Sequence, residues 1–159
     1  MQKSLIINNL EFAKNQLKLD HGLTVLQLTR LAEMLANVAK SQIQFELIGT
    51  SKQFRQPSLH LTIKANLVMT CQRCLEEMAV NLDLNLDYLV TDAEISDAED
   101  SDEIDWLEAN HEMDVGELIE DELLLAMPIA PTHAHDCSKQ SMQSGDKPNP
   151  FAVLKSIIK

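Results

Sequence analysis

The chain has 159 residues, of which 45% are hydrophobic and 4% aromatic, and its formal net charge is −12. This length predicts one domain with a sizeable core, and the acidity argues against nonspecific binding to nucleic-acid phosphates. No stretch has the length and apolarity of a membrane span. The N-terminal apolar run is too short for a signal peptide, and three cysteines, an odd number, favour a reducing compartment. We therefore expect a cytoplasmic protein that binds neither membrane nor DNA.

The charge is distributed unevenly along the chain. Residues 1–73 contain nine Lys or Arg and four Asp or Glu, whereas residues 74–138 contain 20 Asp or Glu and no Lys or Arg. Residues 139–159 contain four Lys and one Asp. The acidic middle favours a basic protein as partner, and its densest part, about 92–105, is typical of a solvated, mobile loop. The basic residues of the first half are too sparse, and have too few aromatic neighbours, to predict an RNA-stacking surface.

The apolar pattern predicts a first helix over about residues 25–39. Thr24 and Gln27 have the spacing of a capping box, and apolar residues then recur at helical intervals. These residues are Leu28, Leu31, Leu35 and Val38. The preceding stretch, residues 10–19, fits a shorter helix or a loop.

Strands are predicted for the middle of the chain. Apolar and polar residues alternate over residues 43–47, 59–69 and 80–88. Strict period-two alternation over such lengths indicates long strands with one buried face. The last two runs are joined by a short segment that contains two cysteines, so we expect an antiparallel pair with these cysteines at or near its connection.

A second helix and a polar tail are predicted for the last third of the chain. Asp114 and Glu117 resemble a capping box for a helix over residues 115–127, which prolines then end. Residues 138–149 are polar and expected to be flexible, and a short helix is expected to follow at 151–158.

These elements together predict an α+β fold. We expect an antiparallel sheet of at least three long strands, covered by two main helices and interrupted by an acidic loop. Residues 1–137 would form the single domain, and residues 138–159 a flexible segment with a short C-terminal helix.

All three cysteines lie in two short segments. Cys71 and Cys74 form a C-x-x-C motif, which holds two thiols close enough to share a metal ion or form a disulfide. Cys137 lies far downstream, close to His133 and His135. Three thiolates and one of these two imidazoles would suit a structural zinc ion, and we expect His133 to be the fourth ligand. The alternative is three reduced cysteines without a metal.

Sequence motifs for catalysis are lacking. The four glycines are isolated and cannot form a phosphate-binding loop or a dinucleotide fingerprint, and there is no G-x-S-x-G motif. A thioredoxin-like role would place Cys71 and Cys74 between a strand and a helix, whereas a strand is expected to follow them here. We therefore expect a protein that is not an enzyme.

Several segments occur in the order typical of the YceD family. They are Cys71–Leu75 after a strand, Glu120–Pro128, Pro131 with His133, Cys137, and Lys147–Leu154. The chain thus resembles the large ribosomal RNA subunit accumulation proteins of bacteria and plastids. The resemblance implies a non-catalytic role in the synthesis, processing or stability of large-subunit (23S) ribosomal RNA. The alternative is a zinc- or thiol-dependent switch or escort protein for a basic ribosomal partner.

The same resemblance points to signature positions without assigning a role to each of them. Its signature residues are Cys71, Arg73, Cys74, Cys137 and the segment 149–151. We expect the following residues to take part in interaction: Arg73, Asn149, Pro150, Phe151 and Leu154. The resemblance implies large-subunit assembly components as partners, and the acidity favours a basic ribosomal protein or assembly factor over naked RNA. The tail containing Phe151 would either anchor this partner or dock on its own domain.

Overall fold

The structure, a computed structural model, describes residues 5–51, 56–92 and 105–138. Within these ranges the chain forms seven strands, three α-helices and one 3-10 turn. In chain order they are β1 (Ile6–Ile7), α1 (Asn9–Lys14), β2 (Lys18–Leu23), the 3-10 turn (Val25–Gln27), α2 (Thr29–Met34), β3 (Gln42–Thr50), β4 (Ser58–Thr70), β5 (Glu77–Thr91), β6 (Asp105–Glu108), β7 (Met113–Asp114) and α3 (Val115–Ala126).

Two predicted features lie outside the described residues. One is most of the acidic loop near residues 92–105, and the other is the tail with its expected helix at 151–158. The predicted interaction residues of the tail are among those not described: Asn149, Pro150, Phe151 and Leu154. The division of the chain at residue 137 therefore stays a prediction.

Five strands form one sheet in the order β2-β3-β4-β5-β6. The first four are antiparallel to their neighbours, and β4 pairs with β5 in an unbroken register from Ser58↔Leu89 to Thr70↔Glu77. The expectation of a purely antiparallel sheet is wrong at one edge, because β6 runs parallel to the end of β5. The thirteen residues between β5 and β6 make such a parallel return possible, since parallel neighbours need a long connection.

The first predicted helix is shorter than its apolar spacing indicates. The chain forms the 3-10 turn and then α2, and Leu35 already has extended dihedrals, φ −92° and ψ 140°. A tertiary contact explains this early end, because the backbone N–H of Ala36 donates to the carbonyl of Val68 on β4 at 2.8 Å. The four apolar residues of the pattern are nevertheless buried in the core or packed against it: Leu28, Leu31, Leu35 and Val38.

The second predicted helix is present as α3. Its N-cap is Asp114, whose carboxylate accepts a hydrogen bond from the Gly116 N–H at 2.8 Å. Helix α3 buries Val115, Ile119 and Leu123, which are spaced four residues apart and so lie on one face. No helix among the described residues is long and apolar enough to cross a membrane.

The hydrophobic core lies on one face of the sheet. Strands β3 and β4 direct alternate apolar side chains into it, and the helices contribute the rest of the same cluster. Fully buried members are Leu31, Leu47, Leu59, Leu61, Ile63, Leu67, Val115, Ile119 and Leu123. Burial of this face decreases towards β5. Four apolar residues of β5 that face the core are only partly buried: Val80, Leu82, Leu84 and Leu86.

Candidate metal centre

The C-x-x-C motif forms the connection between β4 and β5, as the alternating pattern predicts. The backbone N–H of Cys71 donates to the carbonyl of Glu76 at 2.9 Å, and the N–H of Leu75 donates back to the Cys71 carbonyl at the same distance. Leu75 has a positive φ of 63°, a conformation that costs about 1–2 kcal/mol for a residue with a side chain. This tight turn directs the thiols of Cys71 and Cys74 to the same side.

The second half of the centre comes from the irregular segment after α3. The helix stops at Met127, and a proline-containing stretch follows up to residue 138. The backbone N–H of Gln72 donates to the carbonyl of Pro131 at 2.8 Å, so this segment is fastened to the cysteine turn by its main chain. Residues 133–137 are thereby held beside the thiols of the turn.

Four side chains meet at this junction. The sulfur atoms of Cys71, Cys74 and Cys137 and one ring nitrogen of His133 all lie within 4.8 Å of one another. The Sγ atoms of Cys71 and Cys137 are 3.7 Å apart, and Cys74 Sγ lies 3.4 Å from His133 Nδ1. Cys71 is fully buried and the other three side chains are half-buried. The arrangement can hold one metal ion with four protein ligands.

The structure distinguishes between the two candidate histidines. His133 belongs to the four-residue group, whereas His135 does not. The ring of His135 lies against that of His133 instead, with centroids 5.0 Å apart. Sequence spacing leaves this choice open, because the two histidines are separated by one residue in a segment with no regular period.

The pKa values of Cys71 and Cys137 are shifted in opposite directions. Burial opposes ionisation of Cys71, but N–H groups of the Cys74, Arg73 and His133 backbones outweigh it and lower the pKa of Cys71 to about 5. Burial raises the pKa of Cys137, and hydrogen bonds to Cys71 and Cys74 raise it further. Of these two thiols, Cys71 is therefore the more readily ionised.

Arg73, predicted as an interaction residue, connects the two halves of the centre. Its guanidinium Nη1 donates to the carbonyl of His135 at 3.2 Å and lies 3.9 Å from the carboxylate of Asp136. Its backbone N–H also donates to the Cys71 sulfur at 3.4 Å. The side chain is 41% exposed, so it still presents part of its charge to solvent.

Comparison with known proteins gives the chain a family. Residues 59–157 match the family model of the large ribosomal RNA subunit accumulation protein YceD. This chain belongs to the YceD family. A relative from Haemophilus influenzae, the large ribosomal RNA subunit accumulation protein YceD, is 32% identical over 144 residues, which cover 82% of each chain. No solved structure matches this chain.

The matched family range contains every residue of the centre. It spans the cysteine turn, α3, the segment with His133 and Cys137, and the predicted interaction residues of the tail. The first strands and α1 precede this range.

One polar residue that sequence analysis does not single out also lies within the family range. Glu120 is only 5% exposed, and its carboxylate accepts from the backbone N–H of Leu31 and from the guanidinium of Arg30. It is hard to recognise in the sequence because acidic residues surround it. The available signal is its spacing, since Glu120 precedes the apolar residues Leu123 and Met127 by three and seven positions.

Proposed function

We propose that this protein acts in the accumulation of large-subunit ribosomal RNA, through the synthesis, processing or stability of the 23S species. Membership of the YceD family is the observation that carries the proposal, and the relative from Haemophilus influenzae bears that role in its name. The site of action would be the cytoplasm, where bacterial ribosomes assemble.

The proposed mode of action is binding without catalysis. The four-residue cluster would fill all four positions around a tetrahedral metal ion, an arrangement typical of structural sites that leaves no position for a substrate. The segment from 74 to 138 carries 20 acidic and no basic side chains, so RNA phosphates would be repelled once within the screening length of about 8 Å. A basic ribosomal protein or assembly factor fits this charge better than naked RNA.

Deletion of the gene tests this function. We expect a lower ratio of large to small ribosomal subunits and less 23S ribosomal RNA, with 16S ribosomal RNA as the internal reference. Sucrose gradients and RNA quantification measure both, and complementation with the intact chain is the control. A deletion strain with normal gradients and a normal 23S to 16S ratio would show that the protein has another function.

The metal that we propose for the centre is zinc, in a structural role. A tetrahedron with Zn–S distances of about 2.3 Å has edges of roughly 3.8 Å. The 3.7 Å between Cys71 and Cys137 and the 3.4 Å between Cys74 and His133 support this fit. Three sulfur ligands and one imidazole are also a donor set that zinc uses in closed structural sites. The ion would join the β4–β5 turn to the segment after α3.

A thiol-dependent switch is the second candidate function. It is favoured by the contact between Cys71 and Cys137 and by the pKa of about 5 for Cys71, because the thiolate is the form that reacts. The Cys71 thiolate would attack hydrogen peroxide, breaking the O–O bond to form a sulfenic acid and release hydroxide, and the Cys137 thiol would then displace water from this sulfenic acid to form the disulfide. Thiol titration with and without peroxide, together with zinc analysis, separates this switch from a purely structural site.

The tail beyond Cys137 is proposed as a separate segment that contacts the partner. Asn149 and Pro150 are suited to start a helix, on which Phe151 and Leu154 would lie on one face. If this face is an anchor, Phe151→Ala should abolish recovery of ribosomal partners while the melting temperature stays within about 2 °C. Lys155→Ala is the control from the same segment. A loss of several kcal/mol in the unfolding free energy would instead identify Phe151 as part of the core.

A further inference from the structure

The edge of the sheet formed by β5 is open over most of its length. Strand β6 pairs only with Tyr88–Thr91, and within the described residues no other strand lies beside β5 on that side. The open stretch from Ala79 to Asn85 is about 20 Å long at the usual rise per residue.

The hydrogen-bond pattern shows which backbone groups face this edge. At one end of the β4–β5 ladder the Val90 N–H donates to Pro57, and at the other the Cys71 N–H donates to Glu76. The register between them is unbroken. The backbone N–H and C=O groups of even-numbered β5 residues therefore bond to β4, and those of odd-numbered residues point away from it, towards the open edge. The residues whose backbone groups face the open edge are Ala79, Asn81, Asp83 and Asn85.

The two faces beside this edge differ in chemistry. On the core side, Val80, Leu82 and Leu84 are only partly buried, although their partners across the ladder on β4 are at most 5% exposed. On the solvent side β5 presents Asn81, Asp83, Asn85 and Asp87. On β4, Lys64 stands opposite Asp83, and His60 contacts the Asp87 carboxylate at 2.8 Å. An added strand would cover the apolar row with one set of side chains and lie beside the carboxylates with the other.

The open edge has little of the usual protection against strand pairing. Sheet edges in natural proteins are blocked by charged side chains, especially lysine, and by proline, bulges or short length. The one charged side chain of Ala79–Asn85 is Asp83. The opposite edge strand, β2, is short and carries Lys18, whereas Ala79–Asn85 contains no lysine, proline or bulge. The same edge already accepts a strand at Tyr88–Thr91. Its twist and spacing are therefore compatible with pairing.

We infer that the β5 edge binds an extended segment of a protein partner by strand addition, and that this segment alternates apolar with basic residues. Main-chain hydrogen bonds would supply affinity, the half-covered apolar row one half of the specificity, and the Asp83 carboxylate the other half. The nearby acidic segment of this chain, residues 93–104, has six acidic and no basic residues and would be repelled. Only the choice of a basic partner rests on the proposed function.

The test begins with amide hydrogen exchange of the full-length protein measured by NMR. The amides of Ala79, Asn81, Asp83 and Asn85 should exchange fast in the isolated chain, and those of Val80, Leu82 and Leu84 slowly. Addition of an eight-residue peptide of alternating valine and arginine, one residue longer than the open stretch, should slow the first set only. If these amides are already protected in the isolated chain, the chain's own residues cover the edge. If their protection depends on protein concentration, a second copy of the chain covers it. Both results would overturn the inference.

Peptide variants test the hydrogen bonds themselves without changing the protein. N-methylation of either all the valine or all the arginine amides leaves the side chains in place, but only one of these sets can face β5. We expect one set to weaken binding by about tenfold or more and the other to have little effect. Exchange of arginine for glutamate should abolish binding. Equal effects of the two methylated sets, or tight binding of the glutamate peptide, would contradict strand addition by a basic segment.

A pair of protein variants gives the complementary test. Asn85→Pro removes an outward N–H that has no role in the β4 ladder, and Asn85→Ala removes the same side chain but keeps the N–H. Binding of the peptide should fall about tenfold in the first variant and less than twofold in the second. If Asn85→Pro does not fold, the methylated peptides still decide. Equal affinities of two folded variants would overturn the inference, even if the deletion strain supports the proposed function.

Discussion

Glu120, whose carboxylate is buried, connects α2 to α3. Its Oε1 accepts from the Leu31 N–H at 3.0 Å, and its Oε2 accepts from two nitrogens of Arg30 at 3.0 and 2.9 Å. The first bond satisfies an N–H in the first turn of α2, where a negative charge is favoured by the helix dipole. The second compensates a charge that burial would otherwise make unfavourable.

Loss of Arg30 should therefore destabilise the protein more than loss of its exposed partner. Arg30→Ala leaves the buried Glu120 carboxylate with one hydrogen-bond donor. Because the guanidinium is half-exposed, water can replace part of the hydrogen bonding that it supplies. We expect a measurable fall in the unfolding free energy in urea. Asp121→Asn, which removes only the exposed ion pair to Arg30, should cost about 0–1 kcal/mol. Equal losses in the two variants would mean that the buried contact has no special weight.

The order of the elements was predictable from sequence where the pattern is local. Alternation over 59–69 and 80–88 predicts β4, β5 and the cysteine turn between them, and the capping residues predict α3. Strand β2 is missed because Lys18–Leu23 contains only two apolar side chains and a glycine. The early end of α2 depends on the bond from Ala36 to Val68, and the parallel pairing of β6 depends on Tyr88–Thr91. Contacts between residues far apart in the chain leave no periodic signal.

The same distinction applies to the centre. The pairing of two thiols is local, because two intervening residues confine Cys71 and Cys74 to one turn. The approach of Cys137 and His133 is not local, since it depends on where α3 ends and on the bond from Gln72 to Pro131. Residue chemistry could therefore suggest the ligand set, but only the fold brings its members together.

Packing of α1 on β3 depends on the absence of a side chain at Gly49. A Cβ atom built there would overlap the carbonyl oxygen of Phe12 and lie 2.9 Å from the Ala13 Cα, both in the backbone of the helix. Backbone atoms cannot move aside as a flexible side chain can, so the helix would have to shift away from the sheet.

Gly49→Ala should consequently destabilise the protein by about 1–3 kcal/mol, as expected of an overpacked site. Gly22→Ala is the matched control on neighbouring β2, because its Cβ would meet nothing closer than the Ile43 carbonyl at 3.9 Å. Thermal and urea unfolding of both variants provide the measurement. If the two substitutions have the same effect, α1 does not rest on β3 as closely as the structure shows.

At the scale of the whole molecule, the candidate metal centre brings together two segments that are far apart in sequence. Cys71 and Cys137 are 66 residues apart in sequence, and Cys74 and His133 are 59 apart. The sheet edge strands β5 and β6, the segment between them and helix α3 all lie within this loop. An ion held by both ends would restrict the unfolded chain as a cross-link does, and the restriction grows with loop length.

Removal of the proposed zinc ion should therefore destabilise the entire fold and not only the cysteine turn. For a loop of this length the cross-link is worth at most about 4 kcal/mol, and we expect a chelator to lower the unfolding free energy by about 2–4 kcal/mol. His133→Ala should lose stoichiometric zinc and become insensitive to the chelator. His135→Ala, which removes the neighbouring ring but none of the four ligands, should keep both the zinc and the destabilisation by chelator. Metal analysis of protein purified without chelator, combined with urea unfolding, measures these effects. Absence of stoichiometric zinc in the unmodified protein, or its retention in His133→Ala, would show that these four residues are not a zinc site.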